Sequence, residues 1–210
     1  MSRQDVAQAL VKRHGTTYAE QAGIRLRDAP APLYQLLVLS VLLSARISAD
    51  IATAAAQELF KAGFRTPKAM RDATWQQRVD ALGRGHYRRY DERTSTMLGD
   101  GAELVLERWR GDLRRMHDAA RNTRELEQLL QEVPGLGPSG AAIFCREVQG
   151  VWTDIAPYVD NKVAQGAQRV GLPKTPARLA SYAPGGQFPQ LASACVRAAL
   201  SKDVVADVRG

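Results

Sequence analysis

Val133-Pro134-Gly135-Leu136-Gly137-Pro138-Ser139-Gly140-Ala141-Ala142 is the stretch that decides how this chain is read. An amphipathic run ends there in a Pro-Gly-hydrophobic-Gly turn, and a helix of small residues begins directly after it. Two glycines around Leu136 permit a tight turn that other residues resist. They leave backbone N–H groups free where the next helix starts. A turn of that kind, backed by a helix dipole, is suited to holding an anion, most obviously a phosphate. Downstream of it stands Asp160, within Val159-Asp160-Asn161-Lys162-Val163.

The whole chain sets the bounds. Its 210 residues suffice for one large or two small domains, and 45% hydrophobic with 24% charged residues is ordinary for a globular protein. The longest apolar run, Leu36 to Leu43, is broken by Ser40 and followed by Ser44 and Arg46. That is well short of the roughly 18 residues a bilayer span needs. The start, Met1-Ser2-Arg3-Gln4-Asp5, has no apolar signal region, so a cytoplasmic location without membrane contact is expected. Net charge is +7, which favours polyanions through counterion release. The charge rests on 23 arginines against six lysines, so an Arg-rich composition accounts for it as readily as function does.

Two cysteines, Cys145 and Cys195, lie far apart in helix-like contexts and cannot form a four-cysteine metal or iron–sulfur site. Buried free thiols are the plainer reading. His14, His86 and His117 show no metal spacing, and no cofactor is expected.

Periodicity is helical almost throughout. Helices are expected over residues 1–14, 33–46, 49–61, 66–72, 74–82, 90–107, 112–120, 123–131, 138–149, 161–170 and 190–201. Residues 33–46 are apolar all round, the mark of a central helix in a bundle. Residues 151–157 read as extended and turn-rich, and prolines break 173–176 and 184–189. With no strand-like alternation and no internal repeat, the fold class expected is all-α.

Four segments, in order, resemble the helix-hairpin-helix DNA glycosylases, the superfamily of endonuclease III. Leu42-Leu43-Ser44-Ala45-Arg46 resembles that family's Leu-Leu-Ser-Ala-Gln segment, with arginine for glutamine. Gly85-His86-Tyr87-Arg88-Arg89 resembles the loop that approaches DNA opposite the hairpin. The Pro134–Gly137 hairpin and Val159-Asp160 complete the set, and the likeness runs from about Leu33 to Leu172. It implies two helical domains with a DNA-binding cleft between them. One is a barrel over residues 29–150 holding the helix-hairpin-helix at about 123–149. Residues 1–28 and 151–210 make the other.

The resemblance also assigns residues. Asp160 would be the catalytic carboxylate, stabilising charge on the sugar as the glycosidic bond breaks and orienting water. An aspartate opening a helix is equally a routine N-cap, so both readings stand. Ser139 occupies the place where bifunctional members carry the lysine that forms a Schiff base, and a hydroxyl cannot form that imine. A monofunctional enzyme of base excision repair is therefore implied. Val41 falls where adenine glycosylases carry the glutamate that protonates the leaving base. Without that acid, a purine already made cationic by alkylation is the substrate best suited to leave. Gly135, Leu136, Gly137, Ser139, Arg46, His86 and Arg88 are implied DNA contacts, with Arg46 and His86 candidates to fill the gap left by a flipped nucleotide. Arg84, Arg89 and Arg93 extend the basic face, diluted by Asp91 and Glu92. Tyr34, Trp152 and Tyr158 are candidate walls of a base pocket or ordinary core aromatics. Relatives often carry four cysteines near the C-terminus for an iron–sulfur cluster, whereas Cys195 is alone there.

The expected partner is duplex DNA with a damaged base, bound by a monomer. Two other functions compete. One is a non-catalytic DNA-binding protein that keeps the hairpin. The other is an abasic-site lyase using Lys162 or the N-terminal amine.

Overall fold

Helix follows helix along the described chain, residues 1–209 of the computed structural model, and no strand occurs among them. In order these are α1 (Arg3–His14), α2 (Tyr18–Gln21), α3 (Pro30–Ser44), α4 (Ala49–Lys61), α5 (Pro67–Asp72), α6 (Trp75–Arg84) and α7 (Asp91–Trp109). They continue with α8 (Leu113–Ala119), α9 (Thr123–Leu130), α10 (Pro138–Val148), α11 (Asn161–Arg169), α12 (Pro176–Ala180), α13 (Phe188–Leu200) and α14 (Lys202–Arg209). Short 3₁₀ turns stand at Thr153–Ile155 and Pro184–Gly186. No described helix is long and apolar enough to cross a membrane.

Side-chain caps set many of the starts. Ser2 with Asp5 and Thr74 with Gln77 form capping boxes on α1 and α6, while Ser48, Thr66 and Asn122 cap α4, α5 and α9. The central apolar helix begins at Pro30, earlier than its hydrophobic run. Pro30 and Pro32 fall in the first turn, where a missing N–H costs nothing.

Contacts divide the chain into two units, Met1–Tyr18 with the chain from Trp152 onward, and Ala19–Val151. The first division falls before the expected one at Asp28/Ala29, because residues 19–28 are tied to the larger unit. Ala19 N–H donates to Glu147 Oε2 at 2.9 Å, Gln21 Nε2 to Asp50 Oδ1 at 2.9 Å, and Gln57 Nε2 to Gln21 O at 2.8 Å.

In the larger unit α3 is the axis. Leu33, Leu36, Leu39 and Leu42 are fully enclosed, each burial worth about 2 kcal/mol, and α4, α8 and α10 pack around them. Beside this core, Arg78 on α6 is buried and joins three elements. Its Nε donates to Ser95 O at 2.9 Å on α7, and its Nη1 to Met70 O at 2.9 Å and Ala73 O at 2.7 Å at the end of α5.

In the smaller unit α11 lies hard against α13. A Cβ on Gly166 would run into the carbonyl of Cys195, so only glycine allows this approach. Helix α14 was not legible as a helix. Eight residues after Ser201 are too few to hold helical alone, and docking supplies the rest. Asp207 receives Arg13 Nη1 at 3.2 Å and pairs with His14 Nε2 at 2.9 Å, while Arg13 Nη1 also donates to Asp207 O at 2.6 Å.

Candidate nucleic-acid interface

The hairpin is built on α9, whose Leu126 and Leu130 are buried, and it closes through Leu136 N–H to Val133 O at 3.0 Å. Gly135 has φ +86°, and a Cβ there would come within 3.1 Å of Met97 Sδ and Val41 Cγ1. Conformation and space both demand glycine. Ser44 Oγ, at the end of α3, donates to Gly135 O at 3.2 Å and to Val41 O at 2.7 Å, seating the turn on the core helix. Leu136 was expected as a DNA contact. Its side chain is 3% exposed and its N–H is already used, so it anchors the turn rather than facing solvent.

Helix α10 starts from Gly137 with no side-chain cap. Its first internal acceptor is Gly137 O, taken by Ala141 N–H at 3.0 Å. Among the described residues, the N–H groups of Gly137, Ser139 and Gly140 have no backbone acceptor. Gly137 and Ser139 are exposed, so their N–H groups are open donors at the positive end of a helix dipole, while Gly140 is buried behind them. Gly137 itself has φ −86°, open to any residue, and a Cβ there would meet nothing within 4 Å. The fold does not require glycine here. A bare Cα keeps the donors open to close approach from outside.

Next to the turn lies a groove of about 340 Å³ lined by Gly135, Ser44, Arg46, Tyr87, Tyr90 and Arg93, with Val41 on its floor. No carboxylate lines it. The structure thus brings Arg46 and the hairpin together. Tyr90 was not among the residues expected, although it ends the Arg88-Arg89-Tyr90 run. The Arg89 guanidinium lies 5.2 Å from its ring centroid, and that pairing was the available signal. Tyr87 is buried, its phenol paired with Thr94 Oγ1 at 3.2 Å, and burial raises its pKa above the usual 10.

His86 and Arg88 stand exposed on the loop between α6 and α7. His86 closes α6 through His86 N–H to Gly83 O at 3.0 Å and Tyr87 N–H to Leu82 O at 3.0 Å. That closure places His86 at φ +63°, a left-handed position where glycine is the usual occupant. Arg110 takes the same left-handed position at the end of α7.

The remaining candidates lie elsewhere. Tyr34 is 2% exposed and Trp152 3%, so both rings stand as core aromatics and offer no open face. Tyr158 is half-buried. Asp160, in the smaller unit, is half-buried and caps α11, its Oδ1 accepting from Val163 N–H at 2.9 Å. The structural role left open for it in the sequence is therefore in use. Lys162 is exposed, its Nζ 3.5 Å from Gln165 Oε1. Cys145 and Cys195 are separate buried thiols, and burial pushes both pKa values up, that of Cys195 to about 12. No group of three or more His, Cys, Asp or Glu among the described residues is placed to hold a metal ion.

No protein-family model and no curated protein matches the sequence. Solved structures do match its fold. A trapped endonuclease III–DNA covalent intermediate, an estranged-adenine complex, is 16% identical over 93% of this chain and 85% of its own, with a TM-score of 0.50. A non-covalent endonuclease III–DNA complex is 15% identical over the same shares, with a TM-score of 0.53. The fold is that of endonuclease III. The resemblance carried by four short segments thus holds at the level of the fold across nearly the whole chain. Within this endonuclease III fold, the hairpin, the end of α3 and the start of α7 surround one cationic groove.

Proposed function

We propose that this chain binds duplex DNA and excises a damaged base by hydrolysis, as a monofunctional DNA glycosylase of base excision repair. The observation that carries the reading is the pair of free, exposed N–H groups at Gly137 and Ser139, beside the groove that holds Arg46 and Arg93. Such donors hold phosphate without reading sequence, and the arginines add the charge that makes binding salt-dependent. Arg46 and His86 fill the space of an extruded nucleotide, offsetting the few kcal/mol that unstacking costs. Asp160 supplies the carboxylate that stabilises the developing sugar cation and orients water.

Ser139 in place of an amine supports hydrolysis over lyase chemistry. Val41 on the groove floor, with no carboxylate along the groove, supports a leaving base that needs no protonation there. Purines alkylated on a ring nitrogen meet that condition. A second reading, non-catalytic DNA binding, is favoured by one observation: Asp160 already has a structural task as the cap of α11.

A panel of duplexes separates the readings. Each carries 3-methyladenine, 7-methylguanine, uracil, an oxidised pyrimidine, an 8-oxoguanine mispair or an abasic site. Strand breaks that appear only after alkali, on the methylated purines, are the expected result. Breaks without alkali that borohydride traps as a protein–DNA adduct would assign a lyase. Salt-sensitive binding with no breaks on any duplex would leave the binding module.

A further inference from the structure

At the other end of α3 from the hairpin, the larger unit carries a second concave site, of about 560 Å³. Arg25, Arg27, Lys61 and Arg65 line it, over a floor that includes Phe60 and Pro32. No carboxylate lines it. Asp28, the nearest in sequence, is not part of its lining. Glu58 is engaged by Arg84 at 3.2 Å as well as by Lys61 at 3.8 Å. Arg65 is held in place by its Nε donating to Phe60 O at 2.8 Å, which leaves the rest of its guanidinium available. Three arginines with no carboxylate partner, and Lys61 beside them paired to Glu58, call for an anionic occupant.

The geometry separates this site from the hairpin. Ala31 and Pro32 in the first turn of α3 line the hollow, and Ser44 in its last turn holds Gly135. Fifteen helical residues span about 20 Å, so one bound phosphate group cannot serve both sites. A duplex is too wide for a hollow of this size. Single-stranded nucleic acid would need exposed aromatic faces, and Phe60, the aromatic residue of the lining, is 5% exposed.

The wall bearing two of the arginines has its own pattern. Ile24 is buried, Arg25 exposed, Leu26 half-buried and Arg27 exposed, the alternation of an extended segment lying outside any helix. Among the described residues, the N–H groups of Arg25, Leu26 and Arg27 have no backbone acceptor. An extended wall with free donors and arginine forks on its outer side matches an extended peptide. Carboxylates would meet the forks, and the free N–H groups would pair with the peptide's main chain.

We propose that this hollow is a docking site for a short acidic peptide segment of a partner protein. Fluorescence anisotropy on the full chain tests it. The probe is a labelled eight-residue peptide of Asp and Glu. The control has Asn and Gln at every acidic position. Saturable binding of the acidic peptide only is expected, weakened about tenfold or more by Arg25→Ala with Arg27→Ala and again by Arg65→Ala. Neither arginine of the double variant makes a hydrogen bond within the chain that the fold depends on, and duplex affinity should stay within about twofold because those contacts are phosphate contacts elsewhere. Equal binding of the amide peptide, no saturable binding, or no loss in the variants would overturn the proposal. So would full displacement of the peptide by inorganic phosphate or by an oligothymidylate, which would make the hollow a phosphate site.

Discussion

Gly137 is the residue on which the phosphate-cradle reading rests most narrowly. Its φ of −86° suits any residue and its missing Cβ faces open space, so the fold has no need of glycine there. Gly137→Ala should leave stability to urea within about 1 kcal/mol, since only a cap preference changes. Duplex affinity should fall about tenfold, the worth of one charge-assisted hydrogen bond. A loss of stability without a loss of affinity would turn Gly137 into a structural glycine. Gly135 is the contrasting case, where positive φ and the approach of Met97 and Val41 leave no alternative. Both glycines were visible in the sequence as one motif. Their division of labour was not, because it depends on what packs beneath the turn.

At the scale of elements, two joints make opposite predictions. Buried Arg78 satisfies three main-chain carbonyls at the junction of α5, α6 and α7. Arg78→Ala strands those acceptors and should cost about 3 kcal/mol or more in urea unfolding. The second joint lies on the surface, where α14 meets α1. His14 and then Arg13 hold the Asp207 carboxyl below its usual 3.8. A depressed carboxylate stabilises the joint above its unfolded pKa and stops doing so as pH falls through the folded one. Amides of α14 should thus keep their hydrogen-exchange protection from neutral pH down to about 4 and lose it only below that range. Asp207→Asn should remove the same protection at neutral pH. The long amphipathic helices were legible from periodicity and caps, while α2, α12 and α14 were not. Those three are too short to hold without tertiary contacts, and tertiary contacts leave little trace in a window of eight residues.

For the whole molecule, the net charge of +7 left two explanations open, and the fold places part of that charge usefully. Arg46 and Arg93 line the groove beside the hairpin, with Arg88 exposed on the adjoining loop. Duplex binding should therefore weaken linearly in log–log plots against salt, and Arg88→Ala should reduce the slope by about 1 while weakening all sequences alike. An unchanged slope would remove Arg88 from the interface. The motifs named the fold correctly because a hairpin and its flanking helices are local in sequence. Tyr34 and Trp152 read as pocket walls or, for each singly, more readily as core, and only packing separates those roles, since an aromatic at helical spacing reads the same in both. The hollow at Arg25 and Arg27 went unread for a similar reason, as its lining is gathered from three stretches of chain, 22–27, 31–35 and 57–65.

The central claim is that Asp160 performs hydrolysis on a damaged base as well as capping α11. Asn caps a helix about as well as Asp, so Asp160→Asn keeps the fold while removing the charge. The direct measurement is mass-spectrometric detection of free base released from a methylated duplex under single-turnover conditions, for the native chain and for Asp160→Asn. The account predicts release of a methylated purine by the native chain and a rate lower by about a hundredfold or more in the variant. No release by the native chain, or equal release by both, would contradict it.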